Sequence, residues 1–243
     1  MTMQQFEPYR RYVRESLSFL GGILYLSAVR TTALSAPESK LGKLHVEFSR
    51  QVKDDYGDPE EYFIAQLFVA KIASFEVFLQ ETISLVIQKN PKKVGAIEFK
   101  LAEILDCSDV TLLVQRAAEE FLNKLMYKKP SEYLVALCEL MSIEHAPLQV
   151  DWAEFVEAKA RRDLGLHNAW KCNQIYIRKL DEIGIPPQLQ IGELAHPKEL
   201  KYVRDINDAL ARLADTITNL MLAKHWPELT IRVGFDASKS ENR

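Results

Sequence analysis

Glycine and proline are scarce in this chain, nine and ten of 243 residues. That scarcity excludes collagen-like, low-complexity and broadly disordered architectures. Cysteine is scarcer still. Cys107, Cys138 and Cys172 lie far apart, are odd in number and form no CxxC spacing. Neither a disulfide framework nor a structural zinc site is expected, and a reducing cytoplasm is the compartment that fits. Neither sign of charge dominates: 31 Lys and Arg against 34 Asp and Glu give −3. A protein that coats nucleic acid over a wide face needs a strong basic excess, so any polyanion site here must be local. One mostly apolar run near the start, residues 17–29, has 13 residues, too few to span a bilayer. Glu7 and Glu15 upstream, and Arg30 ahead of the small-residue run at 33–36, fit a secretory leader poorly. The stretch reads as an amphipathic first helix, and no membrane partner is expected.

What the chain does have is helical rhythm. With 47% hydrophobic residues, a chain of this length can bury roughly 70–75% of its unfolded surface without a metal or disulfide staple. A first helix is expected from near Pro8, bending at Gly21-Gly22 and fading by Arg30. Residues 31–57 read as a connection with one short element around 44–52. The clearest helix spans 59–89: Asp58 is a good N-cap, Pro59 suits the first position, and Glu60 and Glu61 suit the positive end of the dipole. Phe68, Ile72, Phe75, Leu79, Ile83 and Val86 recur at three- and four-residue steps, and apolar residues on other faces make this helix central. Asn90-Pro91 ends it. Further helices are expected at 109–127 with Ser108 as cap, 132–142 with Ser131 as cap, 151–168, 172–183 and 197–224. A short extended piece is expected at 189–191. The expectation is all-α: residues 1–57 pack on a helical domain at 58–230, followed by a disordered tail at 231–243.

The stretch that stands out chemically is EAKARRDLGLHNAWKCNQIYIRK, residues 157–179. Between Ala158 and Leu180 it holds six cations, Lys159, Arg161, Arg162, Lys171, Arg178 and Lys179, against the single acid Asp163. Asp163 and His167 are four apart and share a helix face. If the helix continued, Lys171, Gln174 and Arg178 would extend that face into a polar stripe. Arg162 stands five residues from His167, about 140° around the axis and about 7.5 Å along it. One helix therefore cannot close the two side chains over a single face; a bound phosphate or a second subunit could bridge them. Gly165, a weak helix former, marks a point where the segment can bend. His45, His145, His196 and His225 have no partners at suggestive spacing and read as structural. The sequence shows no HxxxH, no HExxH, no paired acidic cluster and no phosphate-cradling glycine loop.

The pattern Arg162-Asp163-x3-His167 resembles the signature of the HEPN superfamily, all-α domains found in RNA-targeting defence, toxin and RNA-processing proteins. Arg161 before it and Asn168 after it resemble the form seen in a bacterial subgroup related to the RiboL-PSP-HEPN proteins. The element order, with a long central helix carrying FEVFL at 75–79, is similar over roughly residues 58–225. The resemblance implies a HEPN-type helical bundle and a metal-independent endoribonuclease without a cofactor. It implies His167 as general acid or base, Arg162 as donor to the nonbridging phosphate oxygens, and Asp163 as the group orienting the imidazole. Arg161, Asn168, Lys171 and Arg178 are the expected substrate contacts. RNA is the expected substrate, a homodimer with a composite cleft the expected assembly, and an antitoxin or another regulatory protein a further partner. The alternative is a non-catalytic HEPN-like module that binds RNA or protein.

Overall fold

The computed structural model describes residues 3–56, 58–94, 104, 109–126 and 128–229. Among them eight α-helices carry the architecture, with no strand: α1 (Glu7–Ser35), α2 (Lys40–Tyr56), α3 (Pro59–Lys89), α4 (Val110–Met126), α5 (Pro130–Met141), α6 (Gln149–Asn168), α7 (Gln174–Asp181) and α8 (Leu200–His225). The all-α class expected from the periodicity is the class observed. The expected tail, residues 231–243, and the Ser108 cap lie outside the described residues.

Helix α3 forms as its local signals dictate. The Asp58 carboxylate accepts from the Glu60 backbone N–H at 2.7 Å, Pro59 occupies the first turn, and Asn90 ends the helix before Pro91. Its 31 residues extend roughly 46 Å. Phe68, Ile72, Phe75, Leu79, Ile83 and Val86 are completely buried. Around this axis pack α1, α2, α4, α5, α6 and α8. One hydrophobic core runs from Phe6 to Trp226, and a satellite of Ala160, Leu164, Cys172, Tyr176, Leu180 and Ala195 fills the space beneath α7.

Three boundaries differ from expectation for tertiary reasons. Helix α1 continues as helix past Gly21-Gly22 and Arg30 to Ser35. Phe19 and Ile23 bury on either side of the glycines, and Arg30 is anchored to Asp58 at 3.3 Å and Glu60 at 3.0 Å. Those contacts outweigh a propensity penalty of about 1 kcal/mol per glycine. The expected connection after α1 is mostly helix: Ser39 Oγ accepts from the Gly42 N–H at 3.0 Å and starts α2, whose Phe48 packs on Tyr62 and Phe63. Helix α5 begins at Pro130, with Lys129 in the cap position and Ser131 inside the first turn rather than capping it. Helices α1 and α3 are both long and apolar enough to cross a membrane by length and composition alone. Much of α3 is core, whereas α1 leaves Leu17, Leu24, Tyr25 and Leu34 exposed.

Where α1 meets α3, a lysine is buried. Lys71 is only 3% exposed; its ammonium donates to Ser16 Oγ and lies 3.9 Å from the centre of the Tyr12 ring. Burial pulls its pKa down to about 7, against the opposing pull of Glu15 and Asp208. Between that value and the usual lysine pKa of about 10.4, the unfolded chain holds a proton the folded chain has released, so stability gains from this group as pH rises. The urea midpoint of Lys71→Met is therefore expected to exceed that of the native chain most at pH 7 and below, with the gap shrinking toward pH 9. A gap that stays constant or widens with pH would contradict this. Comparing the two proteins cancels Cys138, Cys172 and the buried tyrosines, whose raised pKa values act in the opposite sense at high pH.

Candidate active site

Helix α6 carries the motif. It follows directly from a 3-10 turn at Ala146–Leu148, and Asp151 in its first turn both suits the dipole and pairs with Arg212 of α8 at 2.7 Å. Trp152, Phe155, Val156, Ala158, Ala160 and Leu164 form its buried face. The helix passes through Gly165 without interruption. The glycine serves a close approach: a Cβ there would lie 2.5–2.7 Å from the Trp170 indole.

Trp170 can reach that point because the chain reverses sharply. Ala169 and Trp170 both adopt positive φ, 47° and 61°, a region that costs L-residues roughly 1–2 kcal/mol each. The turn closes with the Trp170 N–H donating to the Leu164 carbonyl at 3.0 Å, a Schellman-type bond. The indole is 5% exposed and packs against Phe68 and His196. Burial, and secondarily Lys198, lowers the His196 pKa to about 4. Past the turn, Lys171 bridges Leu194 in antiparallel fashion; Cys172 donates to the Glu193 carbonyl and Ala195 to that of Trp170. In place of the expected extended piece at 189–191 there is an isolated bridge at Leu194.

This turn dissolves the expected polar stripe. The helix stops at Asn168, so Lys171 stands in the following loop and Arg178 on α7. Arg178 is exposed, 3.9 Å from Glu182. Asn168 donates to the Lys171 carbonyl and serves the turn. Arg161, expected as a substrate contact, points inward. Its Nε donates to Glu157 at 2.7 Å, its Nη1 to the Ala195 carbonyl at 3.3 Å, and its guanidinium lies 4.5 Å over the Tyr202 ring. Glu157 also accepts from the Tyr176 hydroxyl at 2.7 Å and the Tyr202 hydroxyl at 2.5 Å. Burial first, then the Glu157 charge, pushes both tyrosine pKa values up. The network ties α6, α7 and α8 together.

Arg162 and Asp163 belong to a second chain of charges. Arg162 Nη2 donates to both carboxylate oxygens of Glu76 on α3, at 2.9 and 3.1 Å. Its Nε lies 3.1 Å from Asp163 Oδ1, at an angle that leaves the N–H without a hydrogen bond. Glu76 also accepts from Lys159, and Asp163 accepts from Lys179 Nζ at 3.1 Å. The order Lys159–Glu76–Arg162–Asp163–Lys179 is thus continuous, and the Arg162 side chain is only 12% exposed. Asp163 anchors Arg162 and Lys179 instead of His167. His167 is exposed in the last turn of α6, with no hydrogen bond to any described residue. The structure thus brings together Arg162, Asp163, Lys159 and Lys179, and leaves His167 one turn away on the Asp163 side. Among the described residues, no group of three or more His, Cys, Asp or Glu side chains gathers as a metal site would require.

Sequence reading missed Glu76. Its signal was a single acid inside the otherwise apolar FEVFL. It also missed Glu157, four residues before Arg161 and so on the same face. A comparison with protein-family models, curated proteins and solved structures finds no match to this chain.

Gly165→Ala tests the close approach. A methyl against a buried, fixed indole is expected to cost about 1–3 kcal/mol of stability, despite alanine's better helix propensity, seen as a lower urea midpoint. A stabilised variant would show that the indole is not held there.

Proposed function

We propose that this chain is a metal-independent endoribonuclease of the HEPN type, with a role in toxin activity or antiviral defence. The supporting observation is an exposed, unpaired His167 on the same helix as a buried Arg162 whose partners form a ladder of cations and carboxylates. In this reading His167 takes the proton from a ribose 2′-hydroxyl, whose oxygen attacks the adjacent phosphorus. The 5′-oxygen leaves and is protonated by a second acid, which a homodimer supplies as the partner copy of the same imidazole. The products are a 2′,3′-cyclic phosphate and a 5′-hydroxyl end.

Arg162 stabilises the phosphorane-like charge by exchanging Glu76 for phosphate oxygens. Because Lys159 also holds Glu76, the carboxylate is not stranded when Arg162 turns away. Asp163 and Lys179 position Arg162 from its other side. The overall charge of −3 suits a small structured RNA rather than bulk RNA, and a regulatory partner such as an antitoxin would set when the site acts. The non-catalytic RNA-binding or protein-interaction scaffold keeps one observation in its favour: the Arg162 guanidinium is already neutralised by Glu76.

His167→Ala, an exposed substitution, is expected to fold normally. Its cleavage of total RNA in EDTA should fall by at least about 10²-fold, the usual contribution of a positioned acid or base. Equal cleavage by both proteins would remove His167 from the chemistry and leave the scaffold reading. Sedimentation at micromolar concentration is expected to show a dimer; a strict monomer that still cleaves would contradict the composite site.

A further inference from the structure

Beside the charge ladder lies a cavity of about 250 Å³ between the start of α5, the middle of α6 and α7. Its walls divide by chemistry. Tyr133 gives the aromatic side its accessible ring, backed by the buried Trp152, edge-to-face with it at 5.1 Å, and by Phe155, edge-to-face with Trp152 at 5.2 Å. Lys128, Lys159 and Lys179 form the other side. Lys159 and Lys179 are the two ends of the ladder, in which three cations, Arg162 included, pair with the two carboxylates Glu76 and Asp163 among the described residues. Lys128 is exposed, and its ammonium meets no partner among the described residues.

We propose that this cavity binds one nucleotide unit of a single-stranded RNA, its base against the aromatic side and its phosphate on the lysines. A volume below the roughly 300–1,000 Å³ of pockets for whole drug-sized ligands admits one ring system, not a folded chain. Aromatic surface beside a cationic edge is the pairing that single-stranded nucleic acids use: stacking contributes about 1–3 kcal/mol per base without demanding a sequence. The position fits a neighbouring nucleotide. Trp152, Val156, Lys159, Asp163 and His167 follow one another at three- and four-residue steps, so the cavity and the imidazole lie along one face of α6. Lys159 and His167 are eight residues apart, about 12 Å along the axis, so the cavity and the imidazole would engage different nucleotides of one strand. The proposal takes from the ribonuclease reading only that the polymer is RNA.

The test is fluorescence anisotropy of a labelled 2′-O-methyl hexaribonucleotide, which lacks the attacking hydroxyl and so reports binding apart from cleavage. The native protein is expected to bind it. Lys128→Glu should weaken binding at least tenfold and reduce the salt dependence by about one phosphate contact, a slope change of about 0.7. Lys43→Glu makes the same charge change on α2, where Lys43 is 68% exposed, and should stay within about twofold of the native protein. Adenosine 5′-monophosphate should displace the probe at lower concentration than ribose 5-phosphate. Absence of probe binding, equal losses in both lysine variants, or equal competition by the two phosphates would overturn the site. A polyglutamate peptide that competes as well as the nucleotide would assign the surface to an acidic protein instead. Binding as described without any His167-dependent cleavage would leave the pocket standing and remove the nuclease. Cleavage that Lys128→Glu does not affect, with no probe bound, would do the reverse.

Discussion

The Glu76 carboxylate is the point on which both the motif helix and its chemistry turn. It sits on the central helix and accepts from two cations of α6, one of them with two hydrogen bonds to Arg162 Nη2. The Arg162 and Glu76 side chains are 12% and 20% exposed and each has a second opposite charge beside it, Asp163 and Lys159, so losing one member costs less than the about 3–5 kcal/mol of a lone buried pair. Helix α6 is therefore docked on α3 by electrostatics as well as by Phe75 against Phe155. The same geometry makes Arg162 a shared resource. It cannot serve the fold and a phosphate at once, so any ligand that engages it must replace what Glu76 provides. A carboxylate with a second cation in place is the arrangement that makes such an exchange feasible.

A second polar centre lies behind the first. Glu157 receives Arg161, Tyr176 and Tyr202, and these reach three helices and the Ala195 carbonyl. A half-satisfied cluster of this kind would weaken the core, whereas a satisfied one fixes a single packing of its elements. The two arginines that stand side by side in the sequence thus face different acids on different helices. Their separation is a direct result of the 100° step between adjacent helical residues.

Much of the fold was legible because its signals are local. Asp58, Pro59 and Asn90 bound α3 by chemistry within a few residues, and the apolar repeat from Phe68 to Val86 marks its burial. What was not legible depends on contacts far along the chain. Helix α1 persists past Arg30 because Asp58 and Glu60 are waiting there, and nothing near Arg30 in sequence says so. The end of α6 was placed correctly at Asn168, yet the direction of the turn depends on an indole folding back over Gly165. For the site, the charge surplus of residues 158–180 was plain in the sequence. Its division into an inward Arg161, a ladder-bound Arg162 and an outward His167 was not, because the dividing acids come from α3 and from α6 itself.

The neck formed by residues 170–172 against 192–195 has a practical corollary. Three backbone hydrogen bonds join the two sides of the excursion there, while Pro186, Pro187 and Gln188 at its far end stand in solvent. Exposed tips of this kind tolerate added sequence when their base is secured. A foreign peptide or a fluorescent reporter spliced at that tip would ride on a closed stem, leaving the register of α6 undisturbed. The molecule thus offers a grafting point that does not tax the framework holding the motif helix.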